Sequence, residues 1–77
     1  MKDKKIYVVL QSPRLELGTI DFVPKKDDRI WLGNTTSLCF DEYVVTCVMH
    51  HPAKNNIVVF VKGEHSDYGR MLKQLKY

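Results

Sequence analysis

Cysteine is scarce in this sequence, which contains only Cys39 and Cys47 among 77 residues. Small secreted domains that depend on disulfide bonds usually carry several cysteines at regular spacings. The two cysteines are therefore predicted to be reduced and packed as small apolar residues. Cys47 lies within a valine-rich segment and is expected to be buried and unreactive. A single Cys39–Cys47 bridge is the alternative in an oxidising compartment.

Long apolar runs are also absent from the sequence. The longest run, residues 57–61, has the length of a strand, whereas a helix that crosses a bilayer needs roughly 20 apolar residues. The first ten residues lack the extended apolar region and small-residue cleavage site of a secretory signal peptide. We therefore expect a cytoplasmic protein that makes no membrane contact.

The spacings that support metal binding and catalysis are missing as well. Structural zinc sites use closely spaced ligand pairs, but Cys39 and Cys47 are eight positions apart. Cys47 and His50 fall at an odd spacing on a predicted strand, which directs their side chains to opposite faces. The same alternation separates the neighbouring carboxylates Asp41 and Glu42. The four glycines are isolated, so no phosphate-binding loop is present. The sequence predicts a non-enzymatic protein with no catalytic residue, metal ion or cofactor.

The length and composition of the chain indicate one small globular domain, residues 1–77. Apolar residues make up 44% and charged residues 27% of the sequence, a balance that argues against disorder. The formal net charge is +3, a weak bias that slightly favours an acidic partner.

Alternating apolar residues predict strands throughout residues 5–62. The turn residues 24–28 are predicted to join strands 18–23 and 29–32 into a hairpin with a basic tip. Gly18 is expected to mark a bulge or a turn. Both faces of residues 42–50 are fairly apolar, which indicates a central strand paired with its successor as a second hairpin. The predicted strands are 5–11, the later part of 15–23, 29–32, 42–50 and 56–62, with 35–40 either an edge strand or an ordered loop.

The end of the chain has the pattern of a short amphipathic helix, residues 66–77. Ser66 is a suitable N-cap, and apolar residues then recur at three- and four-residue spacing at Tyr68, Met71, Leu72 and Leu75. So short a helix is marginal alone, and we expect it to dock on the sheet. The predicted fold is mainly β with one C-terminal helix. A small SH3-like or OB-like barrel is favoured, and an open antiparallel sheet covered by the helix is the alternative.

The predicted 18–32 hairpin and the strand that begins near residue 42 carry the candidate binding residues. Lys25, Lys26 and Arg29 supply positive charge, and Trp31 and Tyr43 supply aromatic rings. Aromatic residues beside arginine are common at protein interfaces, so the leading prediction is a module that binds another protein. Aromatic platforms beside basic grooves also bind single-stranded nucleic acid, which is the alternative. An exposed Trp31 is expected to mark the binding face.

A wider layout of motifs resembles a group of small proteins. The stretch 22–30, the segment Tyr43-Val44-Val45 with Val48 and His50, and the segment Val59-Phe60-Val61 carry the resemblance. Together they resemble small uncharacterised β-barrel proteins encoded by gut bacteria and their phages and mobile elements, over residues 18–62. In that layout a Phe-x-Pro turn leads through Gly-Asp into a strand, and Asp27 here stands where glycine is expected. The resemblance implies a fold more than a function.

Overall fold

The architecture of the chain is taken from a computed structural model, which describes residues 4–32 and 40–75. Five strands, one turn of 3-10 helix and one α-helix make up the described residues. In chain order they are β1 (Lys5–Leu10), β2 (Leu15–Ile20), β3 (Arg29–Ile30), β4 (Glu42–His51), the 3-10 turn (Pro52–Lys54), β5 (Asn56–Glu64) and α1 (Asp67–Gln74). The predicted segment 35–40 and Cys39 lie outside the described residues, except for Phe40.

The five strands form one sheet in the order β2-β1-β5-β4-β3, curled into a half-barrel. The mainly β fold with one C-terminal helix is therefore confirmed. The sheet is mixed, since β1 runs parallel to β5 whereas the other neighbouring strands are antiparallel. Among the described residues, no helix is long and apolar enough to cross a membrane.

The inner face of the half-barrel holds the hydrophobic core. Alternation along β1 and β5 places every second side chain on this face, and β-branched residues suit such packed strand positions. Val45, Val59 and Val61 are fully buried, and Leu10 lies beside Val61 in the neighbouring strand. The core consists of Ile6, Val8, Leu10, Ile30, Tyr43, Val45, Ile57, Val59 and Val61.

The predicted hairpin of residues 18–23 with 29–32 is wrong. β2 ends at Ile20 and pairs with β1, whereas β3 pairs with β4 at the opposite end of the strand order. The predicted turn does form, but it folds onto β4: the Asp27 N–H donates to the Val45 carbonyl and the Val45 N–H donates to the Asp28 carbonyl, both at 2.8 Å. The predicted bulge is confirmed, since Gly18 has φ 137° where the β1–β2 register shifts.

The second hairpin and the C-terminal helix are confirmed. β4 and β5 pair antiparallel around the 3-10 turn, and the Ser66 hydroxyl accepts the Tyr68 N–H at 3.1 Å as an N-cap. The expectation that the helical stripe covers the sheet is wrong, because Tyr68 is 70% and Met71 52% exposed. Gly69 is buried and packs on the Asp41 backbone, so the side of α1 that carries Gly69 faces the residue before β4.

Candidate functional site

Lys25 and Lys26 lie on the exposed turn that leads into β3. The Lys25 N–H donates to the Asp28 carboxylate at 2.8 Å, and the Asp28 N–H donates back to the Lys25 carbonyl at 3.1 Å. Asp27, between them, has a positive φ of 72°, the conformation for which glycine is favoured. Within residues 4–32 and 40–75, neither lysine forms an ion pair, so both ammonium groups are available to a partner.

Arg29 is engaged within the chain. Its Nη1 lies 3.0 Å from Glu42 Oε1, and the Glu42 side chain is only 8% exposed while that of Arg29 is 60% exposed. A buried carboxylate needs a compensating partner because its desolvation is costly. The Arg29 guanidinium therefore neutralises the Glu42 carboxylate, while most of the Arg29 side chain remains exposed to solvent.

The two aromatic candidates lie in different environments, and neither is an open stacking platform. Tyr43 is 2% exposed and belongs to the core, where its ring makes an edge contact with Phe40 at a centroid distance of 6.1 Å. Trp31 is half-buried, and its indole Nε1 is buried without a hydrogen bond to any described residue. The structure thus keeps the lysines and Arg29 on the outside and places Tyr43 inside. It does not bring the five predicted residues onto one surface.

A second surface, which sequence reasoning did not identify as a site, lies on the outside of the middle strands. We call it the outer face: Tyr7 and Val9 of β1, Cys47 and Met49 of β4, and Val58 and Phe60 of β5. Strand register arranges these six residues in two rows across the sheet, Tyr7–Val58–Met49 and Val9–Phe60–Cys47. Met49 is 56% exposed, Cys47 is exposed, and the other four are half-buried.

The expected burial of Cys47 is wrong, and a bulge is the reason. The β4–β5 register shifts between Val45 and Cys47, so that Thr46 is an extra residue in β4. One extra residue reverses the alternation, and Cys47 and Met49 move to the outer face while Val48 packs against the core. The Thr46 hydroxyl lies 2.7 Å from Gln11 Oε1 and 3.1 Å from the Phe60 carbonyl, which holds the bulge in place.

Charged side chains lie at both ends of the outer face. At one end Lys5, Asn56 and His51 form a row across the sheet, and Lys54 follows in the 3-10 turn. Lys5 and Lys54 are exposed and form no ion pair with the described part of the chain. No carboxylate within residues 4–32 and 40–75 pairs with either ammonium group at this end.

The opposite end of the outer face is an open cleft of about 340 Å³. Each of its carboxylates is paired with a cation: Glu42 with Arg29, Glu64 with Lys62 and Asp67 with Arg70. Glu42, Glu64 and Asp67 contribute three carboxylates to its lining, and Arg29 and His65 contribute basic side chains. Glu64 also lies 3.2 Å from Lys62 Nζ, a pair in which both side chains are exposed. Such exposed pairs are weak and can exchange partners.

Asp41 fixes the start of α1 beside this cleft. Its Oδ2 accepts the Ser66 N–H at 3.1 Å and the Arg70 Nε–H at 3.3 Å, and lies 3.4 Å from His65 Nδ1. The Asp41 side chain is 9% exposed, so these contacts compensate a nearly buried carboxylate. Alternation alone assigned Asp41 no role, because its partners come from residues more than twenty positions later in the chain.

The described groups therefore offer an apolar surface with charged ends. In residues 4–32 and 40–75, no group of three or more His, Cys, Asp and Glu side chains is placed to hold a metal ion. Comparisons of the chain with protein-family models, with curated proteins and with solved structures find no match.

Proposed function

We propose that this chain is a non-enzymatic interaction module that binds a protein partner through the outer face. The observation that supports the proposal is the two-sided apolar character of β1, β4 and β5. Their inner side chains form the core, whereas the apolar rows on their other side are not covered by a second layer of the described elements. A contiguous, partly exposed apolar surface of this kind commonly marks an interaction site.

The energetic gain available on this surface suits reversible association. Completing the burial of a partly exposed apolar side chain contributes roughly 0.5–1 kcal/mol, so six such residues contribute about 3–6 kcal/mol. The cost of lost rotational and translational freedom is of comparable size. Contacts at the charged ends must therefore add to the apolar term or set its specificity.

Protein is a better candidate partner than single-stranded nucleic acid. Tyr7 and Phe60 are the two rings of the outer face, and its other four residues are aliphatic or sulfur-containing, which stack poorly on bases. Of the residues first considered for nucleic acid, Arg29 is paired with Glu42 and Tyr43 is buried. From the resemblance to small β-barrel proteins of gut bacteria and their phages, we also propose that the module is a phage or mobile-element product. Its predicted compartment remains the cytoplasm.

Photo-crosslinking in the cells that make the protein tests the proposal. A photoreactive amino acid replaces Met49 on the outer face, and the matched control replaces Leu15, which is 46% exposed on the edge strand β2. We expect a protein adduct at position 49 that resists nuclease, and a much weaker one at position 15. Nuclease-sensitive adducts, or binding of short DNA or RNA oligomers at about 50 mM salt, would favour nucleic acid. Equal adducts at both positions, or none, would contradict an outer-face function.

A further inference from the structure

We infer that the edge of β2 accepts an extended segment of another protein, which adds a strand to the sheet and places one large apolar side chain in a cavity beside that edge. We call this surface the β2 edge site, and its residues are Val8, Leu17, Gly18, Thr19, Ile20 and Leu32. It shares no residue with the outer face, so the inference goes beyond the proposed function and does not depend on it.

The half-barrel is open between its two outermost strands. β2 and β3 lie at opposite ends of the strand order and do not pair with each other. A cavity of about 320 Å³ at this opening is lined by β2 residues together with Leu32, which follows β3. Leu17, Ile20 and Leu32 are half-buried and pack against the core. The volume is at the lower limit of ligand pockets, and it has room for a large apolar side chain.

Gly18 is the reason that part of this space is empty. It pairs with Val8, a buried residue of the core, and a Cβ built on it would meet no atom within 4 Å. Its φ of 137° at the bulge is a conformation that favours glycine, so β2 cannot fill the space with a side chain of its own. On an added strand, the residue opposite Gly18 would direct its side chain to the same face of the sheet.

The backbone of β2 directs one set of hydrogen-bonding groups out of the sheet. Lys5 and Gln11 donate their N–H groups toward β5, to carbonyls 3.4 and 3.0 Å away. Because these groups alternate along a strand, the even-numbered residues of β1 bond to β2, and Ile6 bonds to its partner Ile20. The N–H and C=O of Thr19, the next residue of β2, therefore point away from β1. In the part of the chain that the structure describes, β2 has no strand on that side.

These two features together specify an extended peptide. A strand added at Thr19 offers both a donor and an acceptor to its backbone, whereas a small apolar molecule offers neither. The bulge at Gly18 limits pairing along the edge, so the added ladder is short and the side chain in the cavity must supply much of the affinity. A second copy fits less well, because β2–β2 pairing centred on Thr19 places Ile20 opposite Gly18, and Ile20 already packs on its own core.

Peptide titration followed by amide NMR of the full chain tests the site. The probe is a blocked heptapeptide of threonine and lysine with phenylalanine at its centre. We expect saturable shifts at the Gly18, Thr19 and Ile20 amides, a dissociation constant below about 1 mM and slower exchange of the Thr19 N–H. Alanine at the centre is expected to weaken binding about tenfold, and N-methylation on both sides of the phenylalanine should abolish it. Absence of shifts at about 1 mM peptide, or equal binding of the N-methylated peptide, would overturn the inference.

Filling the cavity from the Leu32 side tests the same site in the protein. Leu32→Phe enlarges a lining side chain and is expected to weaken the peptide about tenfold. Leu15→Phe is the matched control, because Leu15 lies beyond the bulge of β2 and does not line the cavity, and it should leave the affinity unchanged. Amide spectra check that each variant folds, and the three peptides decide alone if Leu32→Phe does not. Equal affinities of the two folded variants would contradict the assigned cavity.

The inference and the proposed function fail in different ways. Peptide binding that is absent while position 49 still crosslinks to a protein overturns the β2 edge site alone. Peptide binding without an adduct at position 49 overturns the outer face alone. Without peptide, exchange of the Thr19 N–H that slows as the protein concentration rises would identify a second copy as the occupant and overturn the inference.

Discussion

Replacing Gly69 by alanine is expected to have two opposing effects on the free energy of unfolding. In an isolated helix the change stabilises by about 1 kcal/mol. In the folded chain the added Cβ overlaps the Asp41 carbonyl oxygen, and lies 2.6 Å from the Asp41 carbonyl carbon and 2.8 Å from the Asp41 Cβ. Backbone atoms cannot rotate away as a side chain can, so the first turn of α1 must shift, and overpacking of this severity costs about 2–3 kcal/mol. The net expectation is a loss of about 1–2 kcal/mol.

Urea denaturation of the parent chain and Gly69→Ala measures this difference in the free energy of unfolding. Amide exchange at Ser66 gives a local readout, because its N–H is bonded to the Asp41 carboxylate only while α1 is docked. A Gly69→Ala chain more stable than its parent by about 1 kcal/mol would refute the packing of α1 on Asp41.

Three further pairs of substitutions test the core, the Arg29–Glu42 ion pair and the turn, all by chemical denaturation. Leu10→Ala is expected to lower the free energy of unfolding by about 2–5 kcal/mol, because Leu10 is fully buried. Leu15→Ala, opposite it on β2, is the control and should lower the free energy of unfolding by less than about 1 kcal/mol. Equal losses for the two variants would contradict the assigned inner face. Arg29→Ala should lower the free energy of unfolding by about 1–3 kcal/mol, because the buried carboxylate of Glu42 loses its cation. Lys26→Ala is the control and should change the free energy of unfolding by no more than about 0.5 kcal/mol. An Arg29→Ala chain as stable as its parent would show that the ion pair does not stabilise the fold. Asp27→Gly should stabilise the folded chain by up to about 1 kcal/mol and Asp27→Val should destabilise it, because φ at residue 27 is 72°. A valine variant more stable than the glycine variant would contradict the turn conformation.

Local patterns predicted β1, β4, β5 and the start of α1 well, since each depends on neighbouring residues. They placed the second strand in the later part of 15–23, whereas β2 is Leu15–Ile20. Alternation located β1, β4 and β5 to within about two residues, and the Ser66 cap located the start of α1. The turn at 24–28 was predicted as well, but its chemistry does not determine which strand the chain joins next. That choice depends on β4, which lies more than ten residues later, and local patterns therefore gave the wrong hairpin.

The candidate site was harder to predict, because faces and burial depend on tertiary structure. Alternation grouped Cys47 and Met49 with Tyr43, and the single extra residue at Thr46 reversed that grouping. No feature of composition marks this bulge, because Thr46 suits an ordinary strand position equally well. The pattern did carry one usable indication: both faces of β4 and β5 are apolar, which is more than a one-sided core requires.

The parallel pairing of β1 with β5 makes the order of synthesis matter for this chain. Each residue of β1 lies beside a residue 51 positions later, so at about 5–20 residues per second the ribosome needs several seconds to supply the second strand. A β-hairpin forms in about 1–10 μs, so β1 and β2 have time to associate long before their neighbour exists. During that interval the apolar side chains of β1 have no core to enter and are open to chaperones or to aggregation. Nascent chains that end before Val61 leave the middle of the sheet incomplete, and a nascent N-terminal half supplied with a separate β4–β5 segment should regain it.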